Sequence, residues 1–254
     1  MIFIIFLLFV IYLYTVHIPR THVQFMSREE TIEFLRNDPD GYSESLTSYD
    51  IKALHSTSLE EYTNRSCDDA LDFTPSQKEY LRTCCEEADL FFREELQNRF
   101  PHVNGKVIAN MKWKLALTKG EWYEEGYPHT RMDIIFITPD VISSKGCTRI
   151  LVHEKVHVYE RMFPSHVDKW MKSSGYIPHK RMKEYRLRRS NPDLDGWVYK
   201  DKKGRETIAI FKNETPSGID DSIYLGGKDW KHEHPYETLA YKIDYFFGNE
   251  AFDE

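Results

Sequence analysis

One short motif constrains this chain of 254 residues more than any other feature, the sequence His153-Glu154-Lys155-Val156-His157. Residues four apart lie on the same face of an α-helix, so His153 and His157 can present two imidazole nitrogens to one point. Glu154 is rotated by about 100° from His153 and can reach a water molecule at that point. This spacing predicts a Zn²⁺ site in which the protein ligands leave one coordination position for water.

The residues around the motif predict that its helix is buried. Apolar side chains flank the motif at Ile150, Leu151, Val152, Val156, Val158 and Tyr159. A polar loop precedes the helix at residues 143–146, and Pro164 stands just beyond its expected end. The alternative interpretation is an amphipathic core helix whose two histidines are hydrogen-bonded within the protein.

A third metal ligand must come from another part of the chain. A continuation of the motif with a glycine and a third histidine is absent, because Glu160 and Phe163 occupy those positions. Near the carboxyl end, Pro235 suits the first turn of a second buried helix, and Glu237 lies early on it. The apolar stripe of this helix continues through Leu239, Ala240, Ile243 and Phe247 to Gly248.

Together the two segments resemble the gluzincin branch of the zincin metallopeptidases. The resemblance is carried by His153-Glu154-x-x-His157 and, well downstream, by Glu237-x-x-Ala240. In that branch a glutamate on the later helix completes the site, and a small residue lets the two helices approach. The resemblance implies His153, His157 and Glu237 as zinc ligands, with Glu154 as the general base. More loosely, the layout is similar to HExxH proteins predicted in large DNA viruses.

The chain departs from the family pattern in two places. The family often carries an aspartate directly after the alanine, hydrogen-bonded to a ligand histidine, whereas this chain has Tyr241 there and Asp244 one turn later. Lys155 is charged where an uncharged residue is typical, so we expect its side chain to reach solvent or a substrate. Other possible third ligands are Glu184, His166 and His234.

A zinc hydrolase also needs a hydrogen-bond donor that faces the oxygen on which negative charge develops. The possible donors near the second helix are His232, His234, Tyr224, Tyr236 and Tyr241. A surface position is the alternative interpretation for each of these side chains. The sequence alone does not choose among them.

The amino terminus predicts a membrane anchor. Residues 1–16 contain no charged side chain, and as a helix they would span about 24 Å of the ~30 Å hydrocarbon core. No basic segment precedes the run and no small-x-small cleavage site follows it, which favours an uncleaved anchor over a signal peptide. We therefore predict a single-pass membrane protein that contacts the bilayer through residues 1–18. Arg20 and Arg28 favour a cytoplasmic domain.

The remaining patterns predict an α+β fold. We expect an anchor (1–19), a mainly helical region (20–100) and a zincin-like core (101–254), which combines a small antiparallel or mixed sheet with the two ligand-bearing helices. Alternating apolar residues predict a half-buried strand over 105–118, and a second strand is expected over 132–138. By analogy with zincins, this second strand would line the cleft and pair with an extended substrate.

The net charge of the chain indicates which classes of partner it can bind. The formal net charge is -7 at pH 7, which argues against general affinity for polyanions. A basic stretch at residues 168–189 could bind nucleic acid, but we interpret it as a solvated helical face.

Taken with the motif and the amino-terminal segment, the sequence predicts a membrane-anchored zinc-dependent peptidase that acts on a peptide or protein substrate. The alternative is a catalytically inactive zincin scaffold that serves as a structural or interaction protein of a membrane-associated assembly.

Overall fold

The computed structural model describes residues 22–96 and 99–250, and over these residues the chain is a mixed α+β protein. Its α-helices are α1 (Arg28–Asn37), α2 (Tyr42–Ser45), α3 (Ser48–Ala53), α4 (Leu59–Asp69), α5 (Pro75–Glu94), α6 (Gly105–Asn110), α7 (Pro139–Ser143), α8 (Cys147–Met162), α9 (Pro164–Ser173) and α10 (Pro235–Phe247). Its strands are β1 (Val23–Phe25), β2 (Ala70–Leu71), β3 (Trp113–Thr118), β4 (His129–Arg131), β5 (Ile134–Ile137), β6 (Ile177–Arg181), β7 (Trp197–Lys200), β8 (Glu206–Thr207), β9 (Ala209–Phe211) and β10 (Ser222–Tyr224).

The main sheet is small and mixed, as predicted. Its order is β1-β3-β5-β4, and β2 pairs with the far end of β3. Strands β1, β3 and β5 are parallel, whereas β2 and β4 pair antiparallel with their neighbours. Strands β6, β7 and β8 form a second sheet, and β9 pairs with β10. Strand β1 comes from the amino-terminal region, so both halves of the chain contribute to one sheet.

Helices cover both faces of the main sheet. Leu115 and Leu117 of β3 pack into a core with α5, α8 and α10, while Ala116 packs into a second core with α1 and α4. Successive residues of a strand point to opposite faces, so both faces of β3 are buried. The expectation of a half-buried strand is therefore wrong, because the amino-terminal helices cover the face that was expected to meet solvent.

The strand predicted over 105–118 begins later than expected. Residues Gly105–Asn110 form α6, and the side chain of Asn104 caps it by accepting a hydrogen bond from the Val107 amide. Gly105 lies so close to α5 that a Cβ atom there would approach the Phe92 carbonyl oxygen to 2.0 Å. Ile108, expected on the polar face of a strand, is fully buried. The cap and the close packing of Gly105 outweigh the alternating pattern.

Local sequence signals start three of the helices, and the predicted start of α10 is confirmed. Ser27 and Glu30 form a capping box at the start of α1, and Thr74 caps α5 directly before Pro75. Helix α10 begins at Pro235 and is followed by Gly248. Each of these signals acts within one helical turn, so it operates without help from distant segments.

The basic stretch is only partly helical. Helix α9 ends at Ser173, and Ile177–Arg181 then forms β6, an exposed strand that pairs antiparallel with β7. The expectation of one solvated helical face is therefore wrong beyond Ser173. Solvent exposure of most of β6 agrees with the expectation that these basic side chains are hydrated.

The prediction of a single-pass membrane protein requires a correction. Across residues 22–96 and 99–250, no helix combines the length and the apolar character that crossing a bilayer demands. The helix that we predicted as the anchor, within residues 1–19, lies outside the described residues. The localisation drawn from it is withdrawn.

Lys155 does not reach solvent or the site, which corrects a second expectation. Its ammonium group is buried on the opposite side of α8, 2.6 Å from Asp89 of α5 and 3.9 Å from the centre of the Trp113 ring. The indole nitrogen of Trp113 also donates to Asp89, at 3.1 Å. Burial lowers the pKa of Lys155 to about 8 although Asp89 opposes the shift. The charge at this motif position thus ties α8 to α5 and to β3.

We expect the Asp89→Ala variant to lower the free energy of unfolding by about 3 kcal/mol, because it leaves the buried Lys155 ammonium without its partner. Replacing both residues, as Asp89→Leu with Lys155→Met, should restore the part of that loss that comes from the unpaired ammonium, but not the part that comes from the Trp113 indole nitrogen, which also loses its acceptor. Denaturant titration followed by circular dichroism measures both effects. Asp133→Ala is the matched control, since Asp133 forms a solvent-exposed pair with Lys114 and should change stability by less than about 1 kcal/mol. Equal losses at Asp89 and Asp133 would contradict this prediction.

Candidate metal centre

Helices α8 and α10 pack against each other and bring three potential ligands together. The Nε2 atoms of His153 and His157 lie 3.1 Å apart. One carboxylate oxygen of Glu237, Oε2, lies 3.5 Å from the first nitrogen and 3.7 Å from the second. Ligand atoms about 2.0–2.1 Å from a tetrahedral Zn²⁺ would be about 3.3 Å from one another. Within the described chain, these buried side chains could hold a metal ion.

Local sequence explains why the ligands face one another. The motif lies near the middle of α8, where His153 and His157 are one turn apart and both buried. His234 caps α10 by accepting a hydrogen bond from the Tyr236 amide, so Glu237 falls in the first turn of that helix. Ala240, one turn further, is fully buried in the shared core. A small side chain at that position allows two helices to approach closely.

Each imidazole is oriented by an acid at its other ring nitrogen. The Nδ1 atom of His153 lies 2.9 Å from Asp244, whose second oxygen accepts hydrogen bonds from Arg149. The Nδ1 atom of His157 lies 2.7 Å from Glu160, which is fully buried. Donation from Nδ1 to a carboxylate leaves the Nε2 lone pair available for a cation and raises the basicity of the ring. Asp244 therefore orients His153, although it stands one turn later than the family pattern places its aspartate.

Glu237 is held from a third direction. Its second oxygen, Oε1, accepts a hydrogen bond from the side-chain amide of Asn191, at 2.9 Å. This contact leaves Oε2 facing the two imidazoles. Every one of the three possible ligands thus has a polar partner that fixes its direction, which is typical of protein metal sites.

The Asp244→Asn variant should bind zinc about 10- to 100-fold more weakly, because the neutral amide polarises the His153 ring less than a carboxylate does. Competition with a chromophoric chelator measures the change. Asp229→Asn is the matched control, because Asp229 contacts a ring nitrogen of His232 at the same 2.9 Å but lies outside the ligand group. An equal loss of affinity in the two variants would contradict the role that we assign to Asp244.

The electrostatics of the centre favour cation binding. Burial disfavours the charged form of His153, but hydrogen bonds to Asp244 and Glu237 outweigh it and raise its pKa to about 10. Burial likewise opposes the charge of His157, and the nearby acids Asp193 and Glu160 raise its pKa well above the ordinary value. The two imidazoles in turn hold the pKa of the buried Glu237 well below its ordinary value. A cation would replace the imidazole protons, so its affinity should rise with pH.

Glu154 stands beside the ligand group and faces a cavity. It is 4% exposed, and its Oε2 atom has no hydrogen-bond partner among the described residues. Burial, followed by the nearby Asp193 carboxylate, raises the pKa of Glu154 to about 8. The cavity has a volume of about 480 Å³, which is within the usual range for ligand pockets. A buried carboxylate oxygen without a partner is unusual, and a water molecule bound beside a cation at the ligand group would provide one.

The alternative third ligands lie elsewhere. Glu184 accepts a hydrogen bond from the Arg181 amide at the surface, and His166 contacts the Tyr159 hydroxyl. The Nε2 atom of His234 lies 3.2 Å from Asp195. These three side chains therefore have other partners, and Glu237 is the residue that joins His153 and His157 in the ligand group.

The proposed oxyanion donors divide into two groups. Tyr224 and Tyr241 line the cavity, and the Tyr241 ring lies 4.3 Å from the His153 ring. His234, Tyr236 and His232 are not among the residues that line it. His234 packs against the Tyr236 ring instead. His234 also caps α10 through the Tyr236 amide, and His232 contacts Asp229, so these side chains have partners outside the cavity lining.

Several residues of the site were not expected from the sequence. Arg189 and Glu233 form a buried ion pair in the cavity wall, with 2.5 Å between the charged groups. Asn191 and Asp193 also line the cavity, and Asn191 donates a hydrogen bond to Glu237. Glu160 carried a local signal, since it follows His157 by one helical turn. The others carried none, because their contacts join segments distant in the chain.

The centre combines two imidazoles that can lose a proton, the Glu237 carboxylate, and the Glu154 carboxylate, which faces the cavity. This donor set suits Zn²⁺, which prefers nitrogen and oxygen ligands in tetrahedral arrangement and in catalytic sites keeps one position open. The acids behind the histidines and the amide behind Glu237 complete an oriented site. No family model matches this chain, and comparisons with curated proteins and with solved structures found no match to it.

Proposed function

We propose that this chain is a zinc-dependent peptidase with a zincin-like core. The observation that carries the proposal is the convergence of His153, His157 and Glu237, with Glu154 beside them at the wall of a cavity. Three protein ligands and an unpartnered acid are the arrangement of a catalytic zinc site, whereas a structural site fills all four positions with protein. The α8–α10 pair over a small mixed sheet supports the same assignment.

The residues present fit Zn²⁺ on the chemistry of their donor atoms. The separations of 3.1 to 3.7 Å between those atoms agree with one tetrahedral cation. Asp244 and Glu160 occupy the Nδ1 positions of the two histidines, so both Nε2 atoms are presented to the same point. Zinc, when bound, would supply a Lewis acid that polarises the peptide carbonyl and lowers the pKa of a water molecule to about 7.

The chain's own residues would then move the proton. Glu154 accepts it from the attacking water and passes it to the amine that leaves, which is general base followed by general acid catalysis. Its raised pKa of about 8 suits proton transfer near neutral pH, and a cation beside it would favour the carboxylate form. Tyr224 or Tyr241, both at the cavity wall, would donate a hydrogen bond to the oxygen that becomes negative.

A direct experiment tests this function. The purified chain is loaded with zinc, incubated with a mixture of unstructured peptides, and the products are identified by mass spectrometry. Cleavage that disappears on chelation and returns with zinc is the expected result. A protein that binds one equivalent of zinc but cleaves nothing would contradict the peptidase proposal.

One observation favours a second candidate, a zinc-stabilised scaffold without turnover. The free edge of β4, where a zincin would pair with its substrate, is partly covered, because Asp193 of the same chain accepts a hydrogen bond from the Thr130 amide. A covered cleft suits a protein that keeps the metal for stability alone. Under this alternative, zinc would raise the melting temperature while every peptide stayed intact. The cavity beside Glu154 leads us to rank the enzyme first.

A further inference from the structure

Residues 190–193, which we call the strap, precede β7 in the chain and form part of the cavity wall. All four residues line the cavity that also contains Glu154 and Glu237. The strap follows directly after a bridge between Arg188 and Ile210, so its start is held by backbone pairing. Its position beside the metal centre makes it part of any surface that a substrate meets.

The strap is fastened at several points. The amide and the hydroxyl of Ser190 donate to Asp50, at 2.8 and 2.9 Å. The carbonyl of Pro192 accepts a hydrogen bond from Arg161, at 3.0 Å. Asp193 is 6% exposed, and its amide donates to the Asn191 side chain at 2.9 Å. These contacts involve α3, α8 and the strap itself, so its course is determined by more than its own turn.

The side chain of Asp193 binds the free edge of β4. Asp193 accepts hydrogen bonds from the backbone amide of Thr130, at 2.8 Å, and from its hydroxyl, at 2.6 Å. In an antiparallel pair, the backbone amides of every second residue point away from the neighbouring strand. In the three-residue strand β4, the amide that points away from β5 is that of Thr130. Just beyond the end of β4, the carbonyl of Met132 accepts a hydrogen bond from Arg161, at 2.8 Å. The outward amide of β4 that an added strand would need is therefore already used.

The edge strand is also not the one that was expected. Strand β5 lies between β3 and β4, so it is internal and cannot pair with a substrate. His129 of β4 lines the cavity, which identifies β4 as the strand beside the site. An extended peptide that adds to this edge must displace Asp193 from Thr130.

We propose that the strap is a specificity element that limits the site to short peptides and chain ends, with Asp193 as the residue that excludes extended substrates. This inference rests on the proposed peptidase function. A long substrate draws its binding energy from backbone pairing on both sides of the cleaved bond. The charged hydrogen bond between Asp193 and the Thr130 amide is stronger than the neutral bond that a substrate carbonyl would make in its place. A short peptide depends less on that pairing.

The strap is also linked to the metal centre through Asn191. Its amide donates to Glu237 while its oxygen accepts from the Asp193 amide. Displacement of Asp193 by a long substrate would therefore disturb a contact of a metal ligand. Short substrates that leave the strap in place keep Glu237 oriented, which adds to the preference for them.

The test compares substrate length in zinc-loaded protein of full length. Two fluorogenic peptides share the same four central residues, one as a tetrapeptide and the other extended to ten residues. The variants are Asp193→Ala, which removes the acceptor, and Asp193→Asn, which keeps an acceptor oxygen for the Thr130 amide. We expect the ratio of kcat/KM for the decapeptide to that for the tetrapeptide to rise about tenfold in Asp193→Ala relative to Asp193→Asn, as the loss of one competing hydrogen bond allows.

Two results would overturn the proposal, namely an equal ratio in the two variants or a larger rise in Asp193→Asn. If Asp193→Ala does not fold, Arg161→Met with Arg161→Lys as its control tests the same edge through the carbonyls of Met132 and Pro192. If no protein cleaves either peptide, the peptidase function fails, and the strap is tested by binding instead. Fluorescence anisotropy should then show that Asp193→Ala binds the decapeptide with about tenfold higher affinity than Asp193→Asn does. Equal affinities would contradict the proposal that Asp193 excludes extended substrates.

Discussion

Replacing Glu154 with glutamine should abolish peptide hydrolysis while zinc stays bound. Glutamine has nearly the same shape but cannot accept the proton of the attacking water. We expect kcat to fall by about 10³-fold, the usual contribution of a positioned general base. The zinc content, measured by plasma mass spectrometry, should remain at one equivalent, because Glu154 is not one of the three converging ligands.

The matched control for this substitution is Glu94→Gln, which makes the same chemical change at an exposed position near the end of α5. It should cleave peptides at the rate of the unaltered protein. Hydrolysis that persists in Glu154→Gln would show that another group takes the proton. In that case Asp193, which lies near enough to raise the pKa of Glu154, would be the first residue to test.

Replacing Glu237, the proposed third ligand, should have a comparably large effect on the affinity for zinc. In Glu237→Gln the carboxylate that faces both imidazoles becomes a neutral amide, which is a poor zinc ligand. We expect the zinc affinity to fall by about 10³-fold, or ~4 kcal/mol of binding free energy. Zinc at a thousand times its dissociation constant should stabilise the unaltered protein by about 4 kcal/mol and the variant hardly at all. Calorimetry of thermal unfolding with and without zinc measures the difference.

The control for that experiment is Glu184→Gln, the same change at a glutamate that caps a surface turn. It should keep both the affinity and the stabilisation by zinc. His157→Ala provides a second loss, because it removes a ligand from the other helix. A protein in which Glu184→Gln loses zinc and Glu237→Gln keeps it would require a different metal site.

The environment of the two histidines also predicts how zinc binding depends on pH. Acids raise the pKa of both histidines, so at neutral pH each imidazole favours its protonated form until a cation replaces the proton. Zinc binding should therefore release protons and strengthen as the pH rises. Acid pH acts in the opposite direction, because it restores the imidazolium form that the neighbouring acids stabilise.

The sequence determined those features whose physical cause is local. Helical spacing places His153 and His157 on one face, and a proline and a capping residue start α10 so that Glu237 enters its first turn. The same kind of signal is present at the starts of α1 and α5. Capping and periodicity act over one or two turns, so they can be read without knowing what packs against the helix.

Predictions from local sequence patterns were wrong where tertiary contacts outweighed those patterns. The alternation over 105–118 predicted a strand throughout, but Gly105–Asn110 is helical because the segment packs closely on α5. The charge of Lys155 was expected to face solvent or substrate, and a buried Asp89 on another helix accepts it instead. In both cases the decisive partner lies on a segment that the pattern itself does not include.

Only the tertiary structure decided how the site is supported and covered. Asp244 orients His153 from 91 residues away, Asn191 reaches Glu237 across 46, and Asp193 caps Thr130 across 63. The free energy of such contacts depends on burial and direction, which arise when α8, α10, β4 and the strap pack together. The chain's motif thus specifies which atoms can bind a metal, while packing between distant segments specifies their orientation and what can reach them.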